Sequence, residues 1–74
     1  MTYLEFEKLV NEQFDQYEKT SPGDWRIGQV YFNLLFDIRP DIAEEMRGSI
    51  VDPFFKRRIT EVVRSFVTDR WDTQ

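Results

Sequence analysis

Five carboxylates crowd one short stretch of the chain: Asp37, Asp41, Glu44, Glu45 and Asp52. Carboxylates grouped this way can share protons in acid–base work or hold Mg²⁺ through their oxygens. The rest of a catalytic apparatus is missing. There is no histidine, the commonest general base, and no cysteine, the strongest nucleophile. Their absence also excludes the usual Cys/His zinc site. The acidic residues have plainer duties as well. Asp41, Glu44 and Glu45 fall in the early turns of a short helix, where the helix dipole favours negative charge. Asp52 precedes Pro53 as a helix N-cap would. Seventy-four residues are few for a pocket of the usual size unless subunits share one. The expectation is a protein without catalytic residues, cofactor or metal.

A second group is basic: Lys56, Arg57, Arg58 and Arg64, with Arg70 beyond them. On one helix, Arg57 and Arg64 would share a face that could meet phosphates, although Glu61 lies between them and could pair with Arg57 at i+4. The other candidate for a nucleic-acid helix, PDIAEEMR, carries three carboxylates and one arginine and would meet phosphates with the wrong sign. The net charge of −4 opposes nonspecific binding to nucleic acid or anionic membrane. Nucleic acid is therefore an alternative partner, reached through residues 56–70, and not the leading one.

The third group is aromatic: seven Phe, three Tyr and two Trp. A chain this short builds a marginal core, and here neither disulfide nor Cys/His zinc can add to it. So many aromatics imply a dense core, dimerisation, or both. Phe32, Phe36, Phe54, Phe55 and Trp71 are the candidate interface residues, because aromatics and arginine are enriched at interface centres. Arg39, Asp41, Arg47 and Asp52 are candidate polar contacts beside them. They also have an internal reading: Arg39 and Arg47 can pair with Asp37, Asp41, Glu44 or Asp52 and fix the loops around the short helix.

The element that must position most of these residues is Trp25 to Ile38, WRIGQVYFNLLFDI. Ile27, Val30, Tyr31, Leu34, Leu35 and Ile38 follow the i, i+3, i+4, i+7 spacing of an amphipathic helix. Phe32 and Phe36 widen the apolar arc to about 240° and leave Arg26, Gln29, Asn33 and Asp37 as a polar stripe. Such a helix must be covered on two sides, by helices, by a folded-back loop or by a second chain. Gly28 costs it about 1 kcal/mol relative to alanine, which a close helix crossing would offset.

Around it, a first helix is expected over Tyr3–Glu18, with Thr2 and Glu5 as a capping box. Its apolar face is Tyr3, Phe6, Leu9, Val10, Phe14 and Tyr17. Thr20-Ser21-Pro22-Gly23 reads as a turn, and Asp24 as the cap of the central helix. Pro40 opens a short third helix to Arg47, with Ala43, Met46 and Ile42 facing the core and Gly48 past its end. Ser49–Phe55 is a connection. Asp52-Pro53 either opens the last helix or forms a turn before it. That helix spans Lys56–Trp71, with Ile59, Val62, Val63, Phe66 and Val67 on its apolar face and fraying in its last few residues. The sequence shows no strand-like alternation, repeat or low-complexity segment.

Residues 1–52 carry five basic and eleven acidic side chains, and residues 53–74 five and three. That asymmetry could align two chains antiparallel or select a partner with complementary patches. No signal-peptide pattern and no apolar run of about 20 residues is present, so no membrane span is expected and the chain reads as cytoplasmic.

Residues 28–55, GQVYFNLLFDIRPDIAEEMRGSIVDPFF, carry a pattern of their own. Gly28-Gln29, Phe32-Asn33, Arg39-Pro40-Asp41, Ala43-Glu44, Arg47-Gly48-Ser49 and Asp52-Pro53-Phe54, with Trp71 closing the last helix, resemble a family of short uncharacterised proteins of tailed bacteriophages and prophages. Lys56-Arg57-Arg58 departs from it, where a more acidic turn is expected. The resemblance implies a phage origin and a place in the host cytoplasm, and brings no catalytic residues.

The sequence thus predicts one all-α domain over residues 1–74, of three longer helices and one short one, forming a homodimer. The expected function is that of a phage accessory protein binding a host or phage protein. A nucleic-acid-associated regulator and a minor virion or assembly component are the alternatives.

Overall fold

The computed structural model describes residues 1–72. Four helices follow one another: α1 (Tyr3–Thr20), α2 (Ile27–Ile38), α3 (Pro40–Met46) and α4 (Glu61–Trp71). Among the described residues there is no strand, so the fold is all-α.

α1 starts where the capping box places it. The Glu5 amide donates to Thr2 Oγ1 (3.2 Å) and the Thr2 amide to Glu5 Oε1 (2.7 Å). Hydrogen bonding from Thr2, above all from its backbone amide, holds the exposed Glu5 carboxyl below its ordinary pKa. The helix runs to Thr20, and Gly23 then takes a positive φ of 82° in the turn that follows. Asp24 does not cap α2. Arg26 occupies the cap position and makes no side-chain cap bond. The indole of Trp25 stacks flat on Tyr17, at 4.3 Å and 9°, which holds the chain extended until Ile27.

α2 lies at the centre and packs against both α1 and α3. Val30, Tyr31, Phe32 and Leu35 are buried, whereas Leu34 and Ile38 are only half-buried. The buried arc is therefore turned toward Phe32 relative to the arc that spacing alone suggests. The cause is the connection after α3, which folds back onto that side of the helix. Gly28, one turn before Phe32, donates its amide to the Lys56 carbonyl (3.1 Å). A Cβ at this glycine would lie 1.8 Å from the Pro53 carbonyl oxygen. The close approach expected at Gly28 is real, but its partner is loop backbone and not a crossing helix.

α3 follows after one residue. Arg39 ends α2 by donating its amide to the Leu35 carbonyl (2.7 Å) and opens α3 by accepting from the amides of Ile42 and Ala43. Pro40 sits at the helix start, Ile42, Ala43 and Met46 are buried, and Gly48 leaves the helix at φ 71°.

α4 begins at Glu61, not at Lys56. Asp52-Pro53 opens no helix and forms the turn instead: the Asp52 carboxylate accepts from the amides of Gly48 (2.7 Å) and Phe54 (3.0 Å). A helix through this region would direct the Lys56 carbonyl to residue 60, but Gly28 takes it. Thr60 then caps α4 through the Val63 amide. On α4, Val63 and Val67 are buried and Val62 is exposed.

α4 runs to Trp71, which is 6% exposed, and the expected fraying falls largely on residues 73 and 74, which lie outside the described residues. The Trp71 indole Nε1 donates to the Met1 carbonyl (2.9 Å), and its ring meets Tyr3 and Phe6 at centroid distances of 5.6 and 5.2 Å. The radius of gyration, 11.8 Å, is close to the roughly 11 Å of a well-packed chain of this length. Among the described residues no helix is long and apolar enough to cross a membrane.

Candidate functional site

Four of the five carboxylates around the short helix are committed to contacts within the chain. Asp41 receives a two-pronged ion pair from Arg39, Nε to Oδ1 at 3.1 Å and Nη2 to Oδ2 at 3.0 Å. That hydrogen bonding holds the Asp41 carboxyl below its ordinary range and raises the Arg39 guanidinium. Glu45 pairs with Arg70 (3.0 Å) and Glu44 with Arg47 (3.4 Å), while Asp52 serves the loop amides. No group of three acidic residues is placed to hold a metal ion among the described residues.

Arg39 does more than bind Asp41. Its guanidinium also donates to the carbonyl oxygens of Trp71 and Arg70, and lies 5.5 Å from the centre of the Trp71 ring. It closes the end of α4, where the carbonyls lack partners within the helix. The internal reading therefore holds for Arg39 with Asp41 and for Arg47 with Glu44, while Asp52 fixes the loop through backbone amides and not through an arginine. Arg47 is also exposed, and its guanidinium lies over the rings of Phe36 (5.1 Å) and Phe32 (5.8 Å).

The basic group is split. Arg64 is bound by Glu7 (2.6 Å) and Glu61 (2.5 Å). Arg57 lies in the loop before α4, so it neither shares a helix face with Arg64 nor pairs with Glu61. Lys56, Arg57 and Arg58 are exposed and have no ion pair among the described residues.

The aromatic candidates also divide. Phe32 and Trp71 are each 6% exposed, covered by this same chain, and cannot offer an interface as they stand. For Phe32 the cover is the returning loop; for Trp71 it is the start of α1. The others form the open part of a continuous line. Phe36 meets Phe32 at 6.3 Å, Phe32 meets Phe54 edge-on at 5.9 Å, and Phe54 meets Phe55 edge-on at 5.0 Å. Phe54 is half-buried, while the two ends, Phe36 and Phe55, are 37% and 77% exposed. Ile50, on the same connection, is 97% exposed.

Sequence reasoning missed Glu7. Its Oε2 accepts from the Tyr3 hydroxyl (3.0 Å) and from Arg64 Nε, and the Tyr31 hydroxyl lies 2.9 Å from that of Tyr3. With the Tyr3 proton given to Glu7, Tyr31 is the donor in the pair. Burial pushes the Tyr3 phenol up to about 12 and raises Tyr31 as well, so both stay protonated near neutral pH. This network fastens α1 to α2 and α4. The signal for Glu7 was available: it stands four residues after Tyr3, at the border of the apolar face of α1.

Comparison with protein families, with curated proteins and with solved structures returns no match to this chain.

Proposed function

We propose that this chain is a non-catalytic accessory protein of a tailed bacteriophage or prophage, acting in the host cytoplasm by binding a host or phage protein. One observation carries the reading: the aromatic line Phe36–Phe32–Phe54–Phe55 is buried in its middle, open at both ends and overlaid by the Arg47 guanidinium. Aromatic and arginine side chains anchored on a packed base are the kind that dominate binding energy at protein interfaces. The anchoring lowers the entropy lost when a partner immobilises them. The same surface, with Phe36 and Phe55 in place of the covered Phe32, is the one through which two copies would pair.

The test is affinity capture from bacterial lysate with the wild type and Phe55→Asp, each with and without nuclease. Phe55 is exposed, so its replacement leaves the fold intact. A protein retained after nuclease and lost with Phe55→Asp supports the reading. Capture that nuclease abolishes transfers it to the alternative, a nucleic-acid contact through the unpaired Lys56, Arg57 and Arg58. Sedimentation equilibrium at micromolar concentration decides the dimer separately, since a single 9.0 kDa species excludes it.

A further inference from the structure

A half-open cavity of about 240 Å³ lies between α1 and the loop that leads into α4. Val10, Phe14, Ile27 and Ile59 supply its apolar walls. Four charged side chains border it: Glu7, Arg57, Arg58 and Arg64. Glu7 pairs with Arg64 at 2.6 Å, and Arg64 also binds Glu61. Arg57 and Arg58 remain, without an ion pair among the described residues. The side chains that border the cavity therefore sum to +2, or +1 with the Glu61 carboxylate that shares Arg64, within a chain whose net charge is −4.

The loop carrying these arginines is held at both ends. The Lys56 carbonyl is bound by Gly28 and the Lys56 amide by the Pro53 carbonyl (2.8 Å), while Thr60 is fixed as the cap of α4. Arg57 and Arg58 thus hang from a short tether, and a ligand would find them close to place. Arg57 also borders a hollow with Glu18, and Arg58 one with Glu61, but neither forms an ion pair there among the described residues.

We propose that this cavity binds a small amphiphilic anion, a carboxylate or phosphate monoester on an aromatic or branched aliphatic body. The apolar part lies against Val10, Phe14, Ile27 and Ile59, and the anionic head is met by Arg57 and Arg58. Guanidinium forks suit the planar carboxylate and the phosphate oxygens equally. The volume is below the usual range for drug-sized ligands, which fits a molecule of roughly ten non-hydrogen atoms. A polyanion is a poorer fit, because beyond two favourable charges it meets an acidic molecule. The site shares the α3–α4 connection with the aromatic surface, but none of the rings Phe32, Phe36, Phe54 and Phe55 lines it.

The test is an NMR titration of the full chain with 3-phenylpropionate and, separately, phenyl phosphate. The uncharged 3-phenylpropanamide and inorganic phosphate serve as controls. Either acid is expected to shift the amides of Val10, Phe14, Arg58 and Ile59, and the better one to bind at least about tenfold more tightly than both controls. Which acid binds better identifies the head group. Arg57→Ala and Arg58→Ala, whose fold is checked by circular dichroism, should each weaken it roughly tenfold, whereas the uncharged replacement Phe55→Ala should leave it unchanged. The proposal is overturned if neither acid shifts these amides at about 10 mM. It is equally overturned if the amide binds as well as the acids, if inorganic phosphate binds as well as phenyl phosphate, or if an oligonucleotide displaces the acids at lower concentration.

Discussion

Two aromatic groups of nearly equal size are handled in opposite ways. At one end Tyr3, Phe6, Tyr31 and Trp71 form a closed cluster: all four are buried, and the three polar groups they carry are hydrogen-bonded. At the other end Phe36, Phe32, Phe54 and Phe55 form an open line, in which only Phe32 is buried and no ring has a polar atom. The closed cluster joins α1, α2 and α4, elements distant in sequence. The open line joins α2 to one returning loop. Aromatic content therefore does not separate core from interface here; the elements that cover each ring do.

The comparison breaks most readily at Trp71. Trp71→Ala removes a large ring from between Tyr3 and Phe6 together with its bond to Met1, and should cost about 3–5 kcal/mol. A domain of this size has about 4–11 kcal/mol in all, so urea unfolding should find the variant stripped of roughly half its stability, with a correspondingly lower midpoint. Retention of most of the stability would mean that the closed cluster is not the structural centre.

Gly28→Ala tests the other end. On helix propensity alone the change should stabilise by about 1 kcal/mol. Contact with the Pro53 carbonyl should reverse the sign and give a net loss of about 1–3 kcal/mol, measured by the same unfolding curve. A net gain would show that the loop does not rest on α2 and that Phe32 is uncovered.

Tyr31→Phe removes only the donor to Tyr3 and should cost about 1 kcal/mol. Alkaline titration sharpens the same point. The Tyr3 phenol is raised from 10.0 to about 12, so the folded state favours its protonated form. This contribution is complete below pH 10 and is lost as pH rises through about 12. Tyr3→Phe should flatten that part of the stability profile. The smallest effect belongs to the open line: Phe55→Ala should change stability by less than about 0.5 kcal/mol while weakening partner capture.

Much of the fold was legible because its signals are local. The Thr2–Glu5 capping box, Pro40 at a helix start and Gly48 after its end each depend on residues within a few positions. The start of α4 was not legible. Its answer lies in Gly28, almost thirty residues away, which takes the Lys56 carbonyl before a helix can use it. The same long-range bond moved Arg57 off the helix and out of register with Arg64 and Glu61. The candidate surface was half legible for a related reason. The width of the α2 apolar arc announced a second cover, and a folded-back loop was among the three covers it allowed. Periodicity has no means of choosing between that loop and another chain.

The bond between the Trp71 indole and the Met1 carbonyl has a kinetic side. Small helical domains owe their speed of folding to contacts made between near neighbours in sequence. Here the closed cluster gathers residues 3, 6, 31 and 71, so its completion must bring together nearly the whole length of the chain. The helices and the α2–α3 corner can form before that happens, but the aromatic centre cannot. Joining residues 1 and 72 by a short linker and opening the chain within the exposed turn at residues 22–24 would turn the longest-range contact into a local one. The rearranged chain should keep the same packed centre and reach it sooner.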